Sequence, residues 1–211
     1  MTRVSVKRQN GQNMRTYFSN RLVMIVNMSL HATVGNNEGL KTVGRNVNIV
    51  TPQDAFLAAF SLHPAGVAVI TGRLDDGTPV GFTATSLASF SAEPPQATVN
   101  IAQHSSSYPA VAVGKSVIIH FLAENQVGLS RIMAGPAAQR FTGDHWHEGF
   151  ANLPEISGVR AALLATVIAI TEVGDNSAVV LEISDGATHP DCAPLVYVER
   201  RYHSVGDIVQ G

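Results

Sequence analysis

Apolar and polar positions divide the chain at about residue 50. From Met1 to Val50 the sequence is rich in Asn, Lys and Arg, its glycines are scattered, and no period of 2 or 3.6 is sustained. Residues 1–50 therefore read as an N-terminal extension, flexible or partly ordered. Regular patterning begins at Thr51. Thr51-Pro52-Gln53-Asp54 supplies a capping hydroxyl, a proline at the first helical position and an acid three residues after the cap. Ala55, Phe56, Ala59 and Phe60 then share one helical face, and Pro64 closes the helix. The β-branched run 66–71 predicts a strand, Asp75-Asp76-Gly77 a turn, and 79–85 a returning strand. Further strands are expected over 96–101 and 116–122 with a short helix over 105–113 between them, and a second helix over 124–134. A polar, turn-rich stretch covers 135–158. Two long apolar strands, 161–173 and 177–184, flank Gly174-Asp175-Asn176, and a last strand runs over 194–201. Closely spaced strands with short turns favour an antiparallel barrel over a doubly wound sheet. The expected division is an extension (1–50), one domain (51–205) and a tail (206–211).

Composition narrows the function classes. The chain has 211 residues, 45% of them hydrophobic and 14% charged, against roughly 25% charged in average soluble proteins. That is enough aliphatic material for a real core, and it excludes wholesale disorder. A formal net charge of -2 leaves no electrostatic footprint for nucleic acid. The single cysteine, Cys192, excludes an intrachain disulfide and a Cys-rich zinc site. No apolar run approaches the roughly 20 residues that span a bilayer. The nearest, Leu22 to Leu30, is interrupted by Asn27 and lacks a clean cleavage site, so it only faintly resembles an export signal. A cytoplasmic globular protein with no nucleic-acid or membrane partner is expected.

Several chemistries are missing from the sequence. There is no G-x-G-x-x-G dinucleotide fingerprint and no G-x-S-x-G elbow. The stretch from Gly35 to Thr42 fails as a phosphate loop, with three residues rather than four between its glycines and Leu40 separating Gly39 from Lys41. His145-Trp146-His147, beside Glu148, could present alternate imidazoles to an ion but has no obvious third ligand. It reads as a solvated loop, no metal site is expected, and Cys192 reads as an inert thiol.

One stretch carries a signal. Gly81-Phe82-Thr83-Ala84-Thr85-Ser86-Leu87-Ala88-Ser89-Phe90-Ser91 follows a strand, holds no charge and packs five hydroxyls into eleven residues. Such a segment can offer backbone N–H groups and small hydroxyls to a planar polar heterocycle, and Ala84 permits close approach of a ring. It can equally make only local bonds along a strand edge. Ser105-Ser106-Ser107 lies where the short helix begins, a position suited either to a phosphate or to simple capping. Read together, the two features suggest a phosphorylated aromatic cofactor.

The runs HPAGVAVITG, PVGFTATSLASFSAEPP and VNIAQHSSS, followed in order by HFLAENQVGLS, RFTGDHW, LPEISGVRAALLATV, VGDNS and PLVYVERRYH, resemble the short-chain flavin reductases of two-component monooxygenase systems. The likeness covers about 51–205 and looks closest to actinobacterial, desulfurisation-type members. The resemblance implies a mainly β fold with short helices, the antiparallel, Greek-key-like FMN-binding split β-barrel, forming a homodimer. It implies an NAD(P)H:flavin oxidoreductase that reduces FMN or FAD with NADH or NADPH and supplies free reduced flavin to a flavin-dependent monooxygenase. Residues matching Gly81, Phe82, Thr83, Ala84, Thr85 and Ser86 lie along the isoalloxazine in that family. Those matching Ser89 and Ser91 hold the flavin tail, and Asn100 and Ile101 line the same pocket. Ser105, Ser106 and Ser107 match the phosphate-proximal turn, and Arg140 and Phe141 a basic-aromatic pair near the cofactor. Thr85 is expected to polarise the ring, with His203 and Asn176 on the nicotinamide side. Asn176 departs from the family's Gly-Asp-His turn; it can hydrogen-bond but cannot titrate near neutral pH, which leaves nicotinamide preference open. Two alternatives stand beside this: a non-catalytic flavin-binding module, and another split-barrel flavin oxidase acting on a vitamin B6 phosphate, which the low Lys and Arg content disfavours.

Overall fold

The computed structural model describes residues 51–206. The expectations for the N-terminal extension and for the end of the C-terminal tail lie outside the described residues.

Helix α1 (Pro52–Leu62) starts at the predicted cap: the Asp54 N–H donates to Thr51 Oγ1 at 3.1 Å, and that hydroxyl donates to the Asp54 carboxylate at 2.6 Å. No residue of α1 is buried, so its apolar face does not pack into the core. Strands β1 (Ala65–Gly66), β2 (Ala68–Arg73) and β3 (Pro79–Ala84) follow, β2 and β3 forming the expected hairpin. Gly77 takes the left-handed conformation at φ 85° that this turn requires. Next comes β4 (Ala88–Ala92), which was not expected as a strand; apart from Ser91 its residues are exposed, so no alternation marks it. It pairs with β5 (Pro95–Ala102).

The helix expected over 105–113 is a single 3₁₀ turn, Tyr108–Val111. Its hydrogen bonds run between residues three apart, Tyr108 N–H to Ser105 O and Ala110 N–H to Ser107 O, and the chain returns to extended geometry at Ala112. Then come β6 (Ser116–Phe121), a 3₁₀ turn at Glu124–Gln126 and α2 (Val127–Ala134). The turn-rich stretch contains a small hairpin, β7 (Trp146–Glu148) with β8 (Pro154–Ile156). Long strands β9 (Ala161–Val173) and β10 (Asn176–Thr188) cross the molecule. The segment expected as one final strand is a hairpin, β11 (Leu195–Val198) and β12 (Arg201–Ser204). Glu199 and Arg200 turn it with φ of 49° and 61°. Two-residue hairpin turns of this kind ordinarily take Asn-Gly, which is why the sequence hid it.

Seven strands form one antiparallel sheet in the order β3-β2-β6-β9-β10-β5-β4, and β1, β11 and β12 form a second. The succession β5-β10-β9-β6 is Greek-key-like. The edge strands β3 and β4 are consecutive in sequence, joined only by Thr85-Ser86-Leu87. In a flat sheet they would stand roughly 29 Å apart, six spacings of about 4.8 Å. The link reaches at most about 14 Å. The sheet must therefore curl until its edges meet, which gives the antiparallel split barrel expected from the resemblance.

Strands β2 and β6 are buried on both faces, which accounts for their unbroken apolar runs. Ile70, Val117 and Ile119 point into the barrel with Val99, Val179 and Leu181. Val69 and Ile118 point the other way, against Met133 of α2 and Ile156 of β8. Gly81 is required at this contact: a Cβ there would lie 2.7 Å from Met133 Cε and 2.9 Å from the Ile70 carbonyl.

Candidate functional site

The closure of the barrel creates the main cavity. Beyond the last β4–β5 pair, Ala88 with Thr98, the next outward-facing backbone groups of β5 belong to Asn100. Ser86 takes their place in the ladder: its Oγ accepts from the Asn100 N–H at 3.0 Å and donates to the Asn100 carbonyl at 3.4 Å. This fixes the β3–β4 link and leaves the neighbouring Thr85 exposed. Thr85, Ser86, Leu87, Ala88 and Asn100 form one wall of a cavity of about 630 Å³. The opposite walls come from α1 (Phe56, Leu57, Phe60) and from the β11–β12 turn (Tyr197 to Arg200). The volume is in the range of cofactor pockets, roughly 300–1,000 Å³. Its barrel wall carries no charge, while hydroxyls, amides and aromatic edges surround it. Such a lining suits a planar polar heterocycle.

A second cavity, of about 280 Å³, opens at the other end of β3. Gly81, Ser106, Ser107, Arg140 and Phe141 line it, residues from three distant parts of the sequence. Arg140 organises it. Nη1 donates to the Gly81 carbonyl at 2.7 Å and to Ser107 Oγ at 3.2 Å, and Nε and Nη2 donate to the Gly135 carbonyl at 3.0 and 2.8 Å. Ser107 is buried and donates to the same Gly81 carbonyl at 3.0 Å. Partial burial lowers the Arg140 pKa, but a guanidinium stays charged in proteins.

The remaining residues singled out in the sequence lie apart from these two cavities. Ser105 Oγ accepts from the Ser107 N–H at 3.3 Å, and Ser91 Oγ from the Glu93 N–H at 3.2 Å. Ser89 is exposed on β4. Ala84 and Ile101 belong to the barrel core; neighbours on a strand face opposite ways, so only the backbone of Ile101 can meet a ligand beside Asn100. Phe82 packs against the same core, and Thr83 donates to the Ser130 carbonyl at 2.8 Å. Asn176 and His203 are exposed, and neither lines a cavity described above. Within one chain, then, Thr85, Ser86 and Asn100 come together, as do Gly81, Ser106, Ser107, Arg140 and Phe141. Asn176 and His203 join neither group.

Two features escaped the sequence reading. The α1 aromatic face and the Tyr197–Arg200 turn line the main cavity, and only tertiary packing brings them there. His120 is fully buried, its Nδ1 donating to the Val69 carbonyl at 3.1 Å and its Nε2 accepting from the Ile156 N–H at 3.1 Å. Burial pushes its pKa down to about 4, with His147 adding to the shift. His145 and His147 engage separate partners, the Arg140 carbonyl at 2.7 Å and Ser157 Oγ at 3.3 Å. Among the described residues no group of His, Cys, Asp and Glu is placed to hold a metal, and no helix is long and apolar enough to cross a membrane.

A small antiparallel split barrel whose closure forms a cavity with an uncharged, hydroxyl-bearing barrel wall defines a cofactor-binding barrel. The family it belongs to is the flavin reductase like domain family, whose model matches residues 60–206. The chain is 39% identical over 154 residues to an NADH:FMN oxidoreductase of Rhodococcus erythropolis, covering 70% of this chain and 79% of that one. It is 37% identical to the reductase component of a flavin-dependent trigonelline monooxygenase of Acinetobacter baylyi, over 68% of this chain and 46% of the relative. Among solved structures, a flavin reductase domain protein of Arthrobacter sp. FB24 superposes with a TM-score of 0.71 at 36% identity, covering 75% of this chain and 98% of that one.

Proposed function

We propose that this protein is an NAD(P)H:flavin oxidoreductase that reduces FMN or FAD and releases reduced flavin to a partner monooxygenase. The observation that carries the reading is Thr85: an exposed threonine on an uncharged wall, held in place by the Ser86–Asn100 bonds, in a chain 39% identical to an NADH:FMN oxidoreductase. Hydride transfer from dihydronicotinamide to flavin is chemistry the two cofactors supply. The chain's task is to bind, orient and polarise, and no nucleophile or acid pair is needed. Thr85 and the backbone from Thr83 to Ser86 would hold the flavin ring beside Asn100. The turn of Ser105, Ser106 and Ser107 with Arg140 and Phe141 would face its phosphate end, Arg140 contributing charge more than bonds.

The reading extends to a cytoplasmic homodimer. Phe56 and Phe60 of α1 are 57% and 62% exposed and Phe90 of β4 64%, an apolar surface that a second copy would cover. Such a dimer is where Asn176, His203, Ser89 and Ser91 would meet a cofactor. NADH is the donor named for the Rhodococcus relative, and Asn176 is the residue to examine for use of NADPH.

Anaerobic oxidation of NADH and NADPH, with and without added FMN or FAD, tests the proposal. Consumption that depends on free flavin is expected. No consumption with any combination would leave only a flavin-binding module. Thr85→Tyr should lower turnover by about tenfold, roughly 1.4 kcal/mol of barrel-wall positioning, while the unfolding midpoint stays within error. Wild-type kinetics in that variant would remove Thr85 from its assigned role.

A further inference from the structure

Ser130 sits in the middle of α2 and is fully buried. A mid-helix serine is a poorer helix former than alanine, and a buried hydroxyl must be bonded to offset the loss of water. Both oxygens of Ser130 are used, and they reach opposite walls of the main cavity. Its carbonyl accepts from Thr83 Oγ1 at 2.8 Å, on the strand that runs into Thr85. Its hydroxyl shares a 3.0 Å hydrogen bond with the Tyr202 hydroxyl on β12. Tyr202 stands opposite Tyr197 in the β11–β12 register, and the two rings meet edge-on at 5.0 Å between centroids. Tyr197 lines the cavity across from Thr85. Arg131, the next residue of α2, lies over the same Tyr202 ring, 5.6 Å from its centroid.

The weight on this one hydroxyl follows from how β12 is held. It is the edge strand of its sheet and pairs only with β11, over Arg201–Ser204. Among the described residues its one hydrogen bond beyond β11 is the Tyr202–Ser130 pair. The rest of the hairpin is tied elsewhere. Strand β11 pairs with β1, the Leu195 N–H donates to the Leu122 carbonyl at 3.1 Å, and the Glu199 N–H of the turn to the Ser61 carbonyl at 2.7 Å. None of these bonds reaches β3. Ser130 spans from β3 to β12 through two bonds.

We propose that Ser130 is a positioning residue for hydride transfer. It holds the Tyr197–Tyr202 face of the hairpin at a fixed distance from the Thr85 wall, and so sets the room in which the flavin and dihydronicotinamide rings meet. The inference rests on the flavin reductase reading, which lays a ring along Thr85. Hydride transfer needs its reacting atoms about 3–3.5 Å apart, so slack in one wall slows it even where both ligands still bind. Being buried, Ser130 acts only through Thr83 and Tyr202.

Ser130→Ala removes the hydroxyl bond and keeps the carbonyl bond to Thr83. Tyr202→Phe removes the same bond from the other side, leaves α2 untouched and keeps the aromatic contact, which guards against misfolding of the first variant. In flavin-free protein, hydrogen exchange of the β12 amides is expected to quicken about fivefold in each variant, the effect of one ordinary hydrogen bond on local opening. In stopped-flow reduction at saturating FMN and NADH, hydride transfer should slow about tenfold in each, and by the same factor rather than its square in the double variant. FMN affinity, read by fluorescence titration, should change by under about threefold, because the Thr85 wall keeps its bonds. Unchanged exchange in both single variants overturns the proposal, since the bond then holds nothing in place. Faster exchange with wild-type reduction rates also overturns it and leaves Ser130 a structural residue only. Losses that multiply in the double variant do the same, because the two hydroxyls would then act separately. Wild-type protein that reduces no flavin with NADH or NADPH would instead overturn the reductase reading, and the holding of the wall by Ser130 would stand or fall on exchange alone.

Discussion

The two cavities at the ends of β3 both gather polar side chains, but they use them in opposite ways. Around Gly81 the polar groups are engaged with the protein itself: Arg140 and Ser107 converge on one carbonyl, and Arg140 grips a second at Gly135. Around Thr85 a single hydroxyl, that of Ser86, completes the β5 ladder, and the adjacent threonine faces the cavity. A polar group already satisfied within the chain gains little from a ligand, because binding would only exchange one hydrogen bond for another. An exposed one loses water and gains a fixed partner. The small cavity is therefore chiefly a latch, and the large one a receptacle.

The largest effect expected from this contrast is at Arg140. Arg140→Met leaves the carbonyls of Gly81 and Gly135 without their cationic donor, in a partly buried setting. Hydrogen bonds to a charged group are worth about 1.5–3 kcal/mol each, less where solvent reaches them. A loss of about 3 kcal/mol in denaturant unfolding is expected, regardless of flavin. A loss below about 1 kcal/mol would break the comparison and return Arg140 to the ligand.

His120 is a second engaged group, and pH exposes it. Both ring nitrogens are occupied, and Nε2 can accept from Ile156 only while the ring is neutral. The unfolded imidazole titrates near 6.5 and the folded one near 4. Between these values the unfolded chain binds a proton that the folded chain refuses. Stability therefore falls as pH drops from 6.5 toward 4, by at most about 1.4 kcal/mol per unit, and this contribution levels off below 4. Urea midpoints across that window should lose this slope in His120→Gln; an unchanged slope would place the acid sensitivity elsewhere.

How much of this was readable from the chain depends on where each signal lives. The Thr51-Pro52-Gln53-Asp54 cap, the β2–β3 hairpin and the long β9–β10 pair carry local signatures, and the structure has them. Strand β4 has no buried face and hence no alternation, and the β11–β12 turn uses Glu-Arg where Asn-Gly would have announced it. The serines before Tyr108 suggested a helix start but make a 3₁₀ turn, since their bonds serve the turn and the Gly81 carbonyl. In the site, the hydroxyl-rich segment stood out by composition. The contributions of Phe56, Phe60 and Tyr197 arise from barrel closure and have no local signature. Nor could spacing separate Thr85, which faces the cavity, from Ser86, whose one hydroxyl proton is already given to the Asn100 carbonyl.

That last distinction gives the smallest and most discriminating test. Thr85 and Ser86 are adjacent, both bear one hydroxyl, and both border the same cavity. Ser86→Ala removes the bonds that stand in for a missing β4 rung and leaves the Asn100 N–H and carbonyl to water. Because Asn100 is exposed, solvent recovers part of the loss, and about 1 kcal/mol of stability should go. Thr85→Ala removes no bond within the chain and should cost under about 0.5 kcal/mol. Flavin affinity should move the other way, falling more in Thr85→Ala than in Ser86→Ala, as read by fluorescence quenching of titrated FMN. Equal stability losses at the two positions would mean that the threonine, too, is engaged in holding the barrel shut, and the large cavity would then be a second latch.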